Sequence, residues 1–248
     1  AVATRRPNGH CCGIQESSSA WVGGGDVTPF LEKRAHVRRL AGLPDEPPPL
    51  TLQCEDAGQV FLRDGWDRDD TYLVFDASRW GGAHSHLARN GVQIFARGRA
   101  LLADTGTLTY AMDNKANEGD EFDHQIGPYG KSTPAHNTLN LNGWNQAPTN
   151  PDFLRVFDAA PLCAVVSQYS GGYWPGAYGW WFREGFGAGL HAEHQRILIW
   201  VKSRFAVIVD RMMRWDETPL GGPEQQNPSL EMNWQLTPGG QVTLRTDN

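Results

Sequence analysis

Cysteine is scarce: four among 248 residues, with Cys11 and Cys12 adjacent and Cys54 and Cys163 isolated. That usage has neither the paired spacing of a zinc ribbon nor the density of a disulfide scaffold. His10-Cys11-Cys12 lies in an aperiodic stretch and reads as part of an irregular arm rather than a metal site. Long apolar runs are missing too. None approaches the roughly 20 residues of a membrane-spanning helix, so no membrane partner is expected. Ala1 is not followed by the basic and then apolar stretches of a signal peptide. Positive charge is in deficit, with 22 Lys and Arg against 28 Asp and Glu and a net charge of −6. That balance argues against nucleic acid as the main partner. An acidic polymer stays open as a ligand wherever basic residues cluster.

What is present is aromatic and glycine-rich. Ten Trp and 28 Gly, in a chain 40% hydrophobic, favour strands joined by tight turns over a helical bundle. Residues 1–50 read as an irregular arm carrying one short helix and a Pro-rich linker. Asp26 or Thr28 caps the helix, Pro29 sits in its first turn, and it runs from Phe30 to Leu40 until Gly42 and Pro44 end it. Phe30, Ala35, Val37 and Leu40 form its apolar stripe, and its Arg residues form a solvated face. Pro44 to Pro49 is a rigid linker.

Residues 51–248 read as one all-β unit. Short β-type runs occur at Val60–Arg63, Thr71–Phe75, Val92–Ala96, Leu101–Ala103, Thr138–Leu141, Phe153–Phe157 and Ala164–Tyr169. More follow at His194–Val201, Phe205–Val209, Leu230–Leu236 and Gln241–Leu244. Turn signals separate them, among them Arg97-Gly98-Arg99, Asn142-Gly143 and Lys202-Ser203. About a dozen closely spaced strands without alternating helices predict an antiparallel β-sandwich. Two insertions interrupt it. Ala111 to Lys131 is polar, and Gly171 to Gly189 is aromatic, with Tyr173, Trp174, Tyr178, Trp180, Trp181 and Phe182 as core packing or a sugar-stacking wall.

The chemistry concentrates between Trp80 and Asn140. His84 and His86 share one side of an extended segment. Val92 to Ala96, the turn at Gly98 and Leu101 to Ala103 make a hairpin, which brings the chain just before the first strand near Asp104, just after the second. His136 reaches the same point from the strand beginning at Thr138. Two imidazoles and one carboxylate suit zinc with one position left for water or another contact. The competing reading is that His86 and His136 are buried, hydrogen-bonded histidines.

The ordered segments GGAHSH, LLADTGTLTY and YGKSTPAHNTLNLNGWNQ, with the later HQRILIWVKSRFAVIVDRM, resemble the heparinase II/III-type polysaccharide lyases, which include heparin/heparan sulfate and alginate lyases. The resemblance covers Asp56 to Leu236. It implies an antiparallel sandwich that accompanies an (α/α) toroid, with Zn2+ bound by His86, Asp104 and His136. It implies catalytic roles for His84 and Tyr129, with Tyr110 as the rival of Tyr129. Lys131, Asn137 and Trp174 are the expected substrate-side groups, with Asn137 and Gln146 alternatively supporting the metal ligands from behind. The implied reaction is β-elimination on a uronate-containing acidic polysaccharide, and the implied location is extracellular or periplasmic because such polymers are large.

Three departures qualify the resemblance. The toroid is missing apart from the Phe30–Leu40 helix, so lyase competence is expected to depend on a toroid domain or a dimer partner. Ala88 stands where an Asp commonly follows the second His. Lys131 replaces an Arg, which keeps charge but not the bidentate fork. Two other readings compete. One is a non-catalytic carbohydrate-binding or structural sandwich. The other is a cupin-like metal enzyme, which lacks the Glu expected near Ala88 to Asn90.

Overall fold

The computed structural model describes residues 28–82, 84–106, 127–176, 189–214 and 229–236. Helix α1 spans Thr28–Leu40, and the left-handed Gly42 (φ 67°) follows its end. The helix turns a different face inward from the one expected. Val37 and Leu40 are exposed, whereas Arg34 and Arg38 face the linker. Arg34 donates to the Glu46 carbonyl, and Arg38 Nε donates to the Pro44 carbonyl at 2.6 Å. The Pro44 carbonyl also accepts the Glu46 N–H at 3.0 Å, and the two arginines tie the linker back onto the helix.

Thirteen strands follow among the described residues: β1 (Thr51–Cys54), β2 (Gln59–Arg63), β3 (Tyr72–Asp76), β4 (Gly91–Ala96), β5 (Arg99–Leu102), β6 (Leu139–Leu141), β7 (Asn145–Gln146), β8 (Phe153–Ala159), β9 (Leu162–Tyr169), β10 (Tyr173–Trp174), β11 (Ala192–Val201), β12 (Phe205–Arg214) and β13 (Leu230–Met232). One sheet runs β1-β2-β3-β4-β5, a second runs β12-β11-β9-β8, and two small pairs join β10 to β7 and β13 to β6. Every ladder is antiparallel. The architecture is the antiparallel sandwich that the strand pattern predicts.

The core lies between the five-stranded and four-stranded sheets. Alternate residues of each strand supply it: Val60 and Leu62, Leu73 and Phe75, Val92, Cys163 and Val165, Leu198 and Trp200. The five-stranded sheet also buries its other face, where Phe61, Tyr72, Val74 and Phe95 cluster. Arg63 caps that layer, its guanidinium 4.0 Å from the Tyr72 ring centre and 4.3 Å from that of Trp66. The four-stranded sheet is different, because Phe157, Leu162, Phe205, Val207 and Val209 stand exposed on its outer side.

Two hairpins place the functional region. β4 and β5 are joined by Arg97 and Gly98, both with positive φ (52° and 69°), as a two-residue turn requires. β11 and β12 pair over ten residues. Asn142-Gly143 does form a turn, closed by Trp144 N–H to the Leu141 carbonyl at 2.8 Å. It does not make a hairpin, because β6 pairs with β13, about ninety residues later.

Candidate metal centre

His86, Asp104 and His136 come together at one end of the β4–β5 hairpin. His86 precedes β4 and Asp104 follows β5. His136 caps the short 3-10 turn Thr133–Ala135 before β6. His136 Nδ1 stands 2.8 Å from Asp104 Oδ2. The His86 and His136 rings lie 5.2 Å apart between centres. Both imidazoles are 1% exposed. Asp104 Oδ1 accepts the Gly106 N–H at 2.9 Å, which leaves Oδ2 aimed at the imidazole. Among the described residues, no three His, Cys, Asp or Glu side chains form a closed ligand group: the Asp104–His136 contact is made, and His86 faces it ring to ring.

The electrostatics favour neutral imidazole at His86. Burial first, then electrostatic repulsion from neighbours that include Lys131 and Arg89, pushes its pKa down to about 2. Neutral imidazole is the metal-binding form. His136 Nε2 is buried and has no hydrogen-bond partner among the described residues. A buried ring nitrogen left that way is costly, and a divalent cation would satisfy it. Asp104 Oδ2 now sits on the ring's other nitrogen, so it would have to swing off Nδ1 to join the same ion as a ligand. On Nε2, the residues present fit zinc.

A buried polar frame holds the two histidine loops. Arg89 Nη1 donates to the His86 carbonyl at 2.9 Å, and its Nε donates to the Thr149 carbonyl at 3.1 Å. Gln146 pairs with the Arg89 backbone in both directions. Thr133 Oγ1 donates to the Leu87 carbonyl at 2.8 Å and accepts the Gln146 N–H at 2.8 Å. Leu87 N–H in turn reaches the Lys131 carbonyl at 2.9 Å.

The other expected site residues divide. His84 is exposed. Tyr129 is 45% exposed on a helical turn at 127–131, at the end of the polar insertion. Trp174 is half-buried, edge-on to His191 with ring centres 5.7 Å apart. Lys131 is 5% exposed, an interior cation beside His86 rather than an open surface group. Asn137 sits as a brace, the supporting alternative of the two roles expected for it. It is 0% exposed, with Nδ2 donating to the Ala103 carbonyl at 2.9 Å and Oδ1 accepting the Gln235 N–H at 2.5 Å. Tyr110 and the aromatic residues 178–182 lie outside the described residues. A broad cleft of about 980 Å³, lined by Asp69, Arg97, Trp200 and Arg204, opens at the opposite end of these strands.

The model of the heparinase II/III-like C-terminal family matches residues 46–248. This chain belongs to that family. The heparin-sulfate lyase of Pedobacter heparinus is 22% identical over 187 residues, which is 75% of this chain and 23% of the lyase. Among solved structures, the heparan sulfate lyase HepC from Pedobacter heparinus superposes with a TM-score of 0.64 at 18% identity, covering 86% of this chain and 31% of the other. A heparinase III gives 0.61 at 15% identity, covering 86% and 33%. At those identities the structures establish the fold. The heparinase II/III-like chain spans about a third or less of the length of these lyases. With this family assigned, the cupin-like reading loses its footing.

Proposed function

We propose that the chain is the zinc-bearing sandwich of a polysaccharide lyase that acts by β-elimination on a uronate-containing acidic polysaccharide. The observation that carries the reading is the convergence of His86, Asp104 and His136 in a sandwich of a lyase family. Heparan sulfate is the first substrate class to test, because the relatives are named for it, and alginate is the second. His86, Asp104 and His136 are the proposed zinc ligands. When bound, zinc supplies a fixed positive charge on the cleft wall.

In such a reaction a base takes the C5 proton of the uronate, and that electron pair becomes the C4–C5 double bond. The C4–O bond breaks towards oxygen, and the leaving oxygen takes a proton. The proposed proton carriers are the exposed His84 imidazole and Tyr129 phenol, which are chemically suited to both transfers. Charge building on the uronate carboxylate needs cationic or hydrogen-bonding neighbours, a role proposed for Lys131 acting from behind the wall through its field and not by contact. Trp174 offers a stacking surface for a sugar ring. Full turnover is proposed to need an (α/α) toroid or a partner chain that supplies further groups. A location in the periplasm or outside the cell follows from the size of the polymer.

The test measures zinc content and growth of ultraviolet absorbance from unsaturated product on one sample, against a panel of uronate polymers. Stoichiometric zinc that His86→Ala abolishes, with absorbance growth, establishes a self-sufficient lyase. Zinc without absorbance growth on any polymer assigns turnover to the chain combined with a toroid. Absence of both overturns the reading and leaves a carbohydrate-binding sandwich.

A further inference from the structure

The two histidine loops are joined by a residue from the other sheet. Arg196, on β11, is 0% exposed. Its Nη1 donates to two backbone carbonyls, Asn90 O and Asn137 O, each at 2.6 Å. Asn90 ends the loop that carries His86, and Asn137 directly follows His136. The remaining donors are held by one carboxylate, with Nε to Asp210 Oδ1 at 2.6 Å and Nη2 to Asp210 Oδ2 at 2.9 Å. Such a fork has fixed geometry, so the guanidinium cannot turn without breaking all four contacts. His194, two residues earlier on the same face, braces the assembly. Its Nε2 meets Asp210 Oδ1 at 2.8 Å, and its carbonyl accepts Asn90 Nδ2 at 3.0 Å. Asn137 passes the constraint on to the third segment through its bond to the Ala103 carbonyl, next to Asp104.

We propose that Arg196 is the positioning residue of the metal centre, clamping the His86 loop and the His136 loop to β11 through one nitrogen while Asp210 fixes its orientation. The inference rests on the zinc-site reading for its purpose, but the clamp itself is a property of the protein chain. Arg196 touches neither metal nor substrate; it acts through the two loops. Lysine has the charge but a single nitrogen that cannot serve the carboxylate and both carbonyls together.

The experiment compares wild type, Arg196→Lys and Val165→Ala, a core truncation that lowers stability without touching the loops. Binding of Zn2+ and Co2+ is measured by chelator competition, and amide exchange is followed in the metal-free proteins. Arg196→Lys is expected to weaken metal binding by about tenfold or more. It is also expected to lose exchange protection at Leu87, Val92 and Thr138 while β8 and β9 keep theirs. Val165→Ala is expected to bind metal as wild type does. Equal metal loss in both variants, or wild-type affinity in Arg196→Lys, overturns the inference. If wild type binds neither metal, the zinc reading falls by itself and exchange decides the clamp: selective loss in the two loops supports it, and uniform or absent change refutes it. Should Arg196→Lys not fold, Asp210→Asn, which leaves the guanidinium in place but unfixed, carries the same comparison.

Discussion

Asp104 Oδ2 and His136 Nδ1 meet at 2.8 Å although 32 positions separate them in the chain. The contact is buried, with side-chain exposures of 9% and 1%, so it is not a solvent-screened surface pair. Asp104→Asn keeps the shape and removes the charge. It is expected to lower zinc affinity by about 10- to 100-fold, read by chelator competition. Unchanged affinity would remove Asp104 from the metal centre.

Thr133 both gives and takes a hydrogen bond inside the protein, to Leu87 O and from Gln146 N. Thr133→Val has nearly the same shape but leaves that carbonyl and that N–H buried without partners. Each orphan costs about 1–3 kcal/mol. The expected loss is about 2–4 kcal/mol in urea unfolding, and a loss below that range would show that water replaces the hydroxyl.

Acid is expected to unfold the metal-free protein in two stages. Burial lowers the pKa of His194, and His86 is pushed down to about 2. A depressed imidazole pKa stabilises the fold fully above the ordinary value near 6.5, and the stability is lost as pH falls below it. Asp210 adds a second stage. Burial alone would raise its pKa, but hydrogen bonds from His194 and Arg196 outweigh that and hold it at about 2. Its contribution, about 2 kcal/mol from a shift of nearly two pH units, disappears below about pH 4. Urea midpoints should therefore be flat above pH 7 and fall from pH 6.5 downward, and His194→Gln should reduce the slope between pH 6 and pH 4. A midpoint that is level from pH 7 to pH 5 would contradict the buried neutral imidazoles.

Gly58 has φ 71°, and a Cβ there would overlap the Ala77 carbonyl oxygen. Gly98 has φ 69°, but a Cβ would meet side-chain ends alone, the Asp69 carboxylate at 3.0 Å and Arg68 Nε at 3.7 Å, which are able to swing aside. Gly98→Ala should cost about 1–2 kcal/mol, the left-handed penalty alone. Gly58→Ala should cost clearly more, since backbone must move. Thermal or urea unfolding of the pair checks the order.

Much of this was legible because it is local. The alternation in Val92, Ile94 and Ala96, followed by Arg97-Gly98, specifies a hairpin, and that hairpin sets the chain before β4 and the chain after β5 at the same end of the sheet. The partner of β6 was not legible, since no neighbouring residue encodes a pairing with Leu230–Met232. The resemblance left Asn137 between a substrate-side and a supporting role, because its neighbours in space, Ala103 and Gln235, lie far off in sequence. Arg196 left one trace. It shares strand parity with the buried Leu198 and Trp200, and so does His194, and a charged residue on the inward side of a strand must find an internal partner.

The stretch from Ser229 to Leu236 laces over the metal centre. Ala103 N–H bonds the Gln235 carbonyl, Asn233 N–H bonds the Thr138 carbonyl, and Gln235 Nε2 reaches the Pro134 carbonyl at 3.1 Å. All three ligand candidates leave the ribosome long before this stretch does, and before Arg196 and Asp210. The Arg89, Thr133 and Gln146 frame is made close behind the histidines, whereas the Arg196 fork and the 229–236 lacing come last. This end of the sandwich therefore closes only once residue 236 has been made, about a hundred positions after His136.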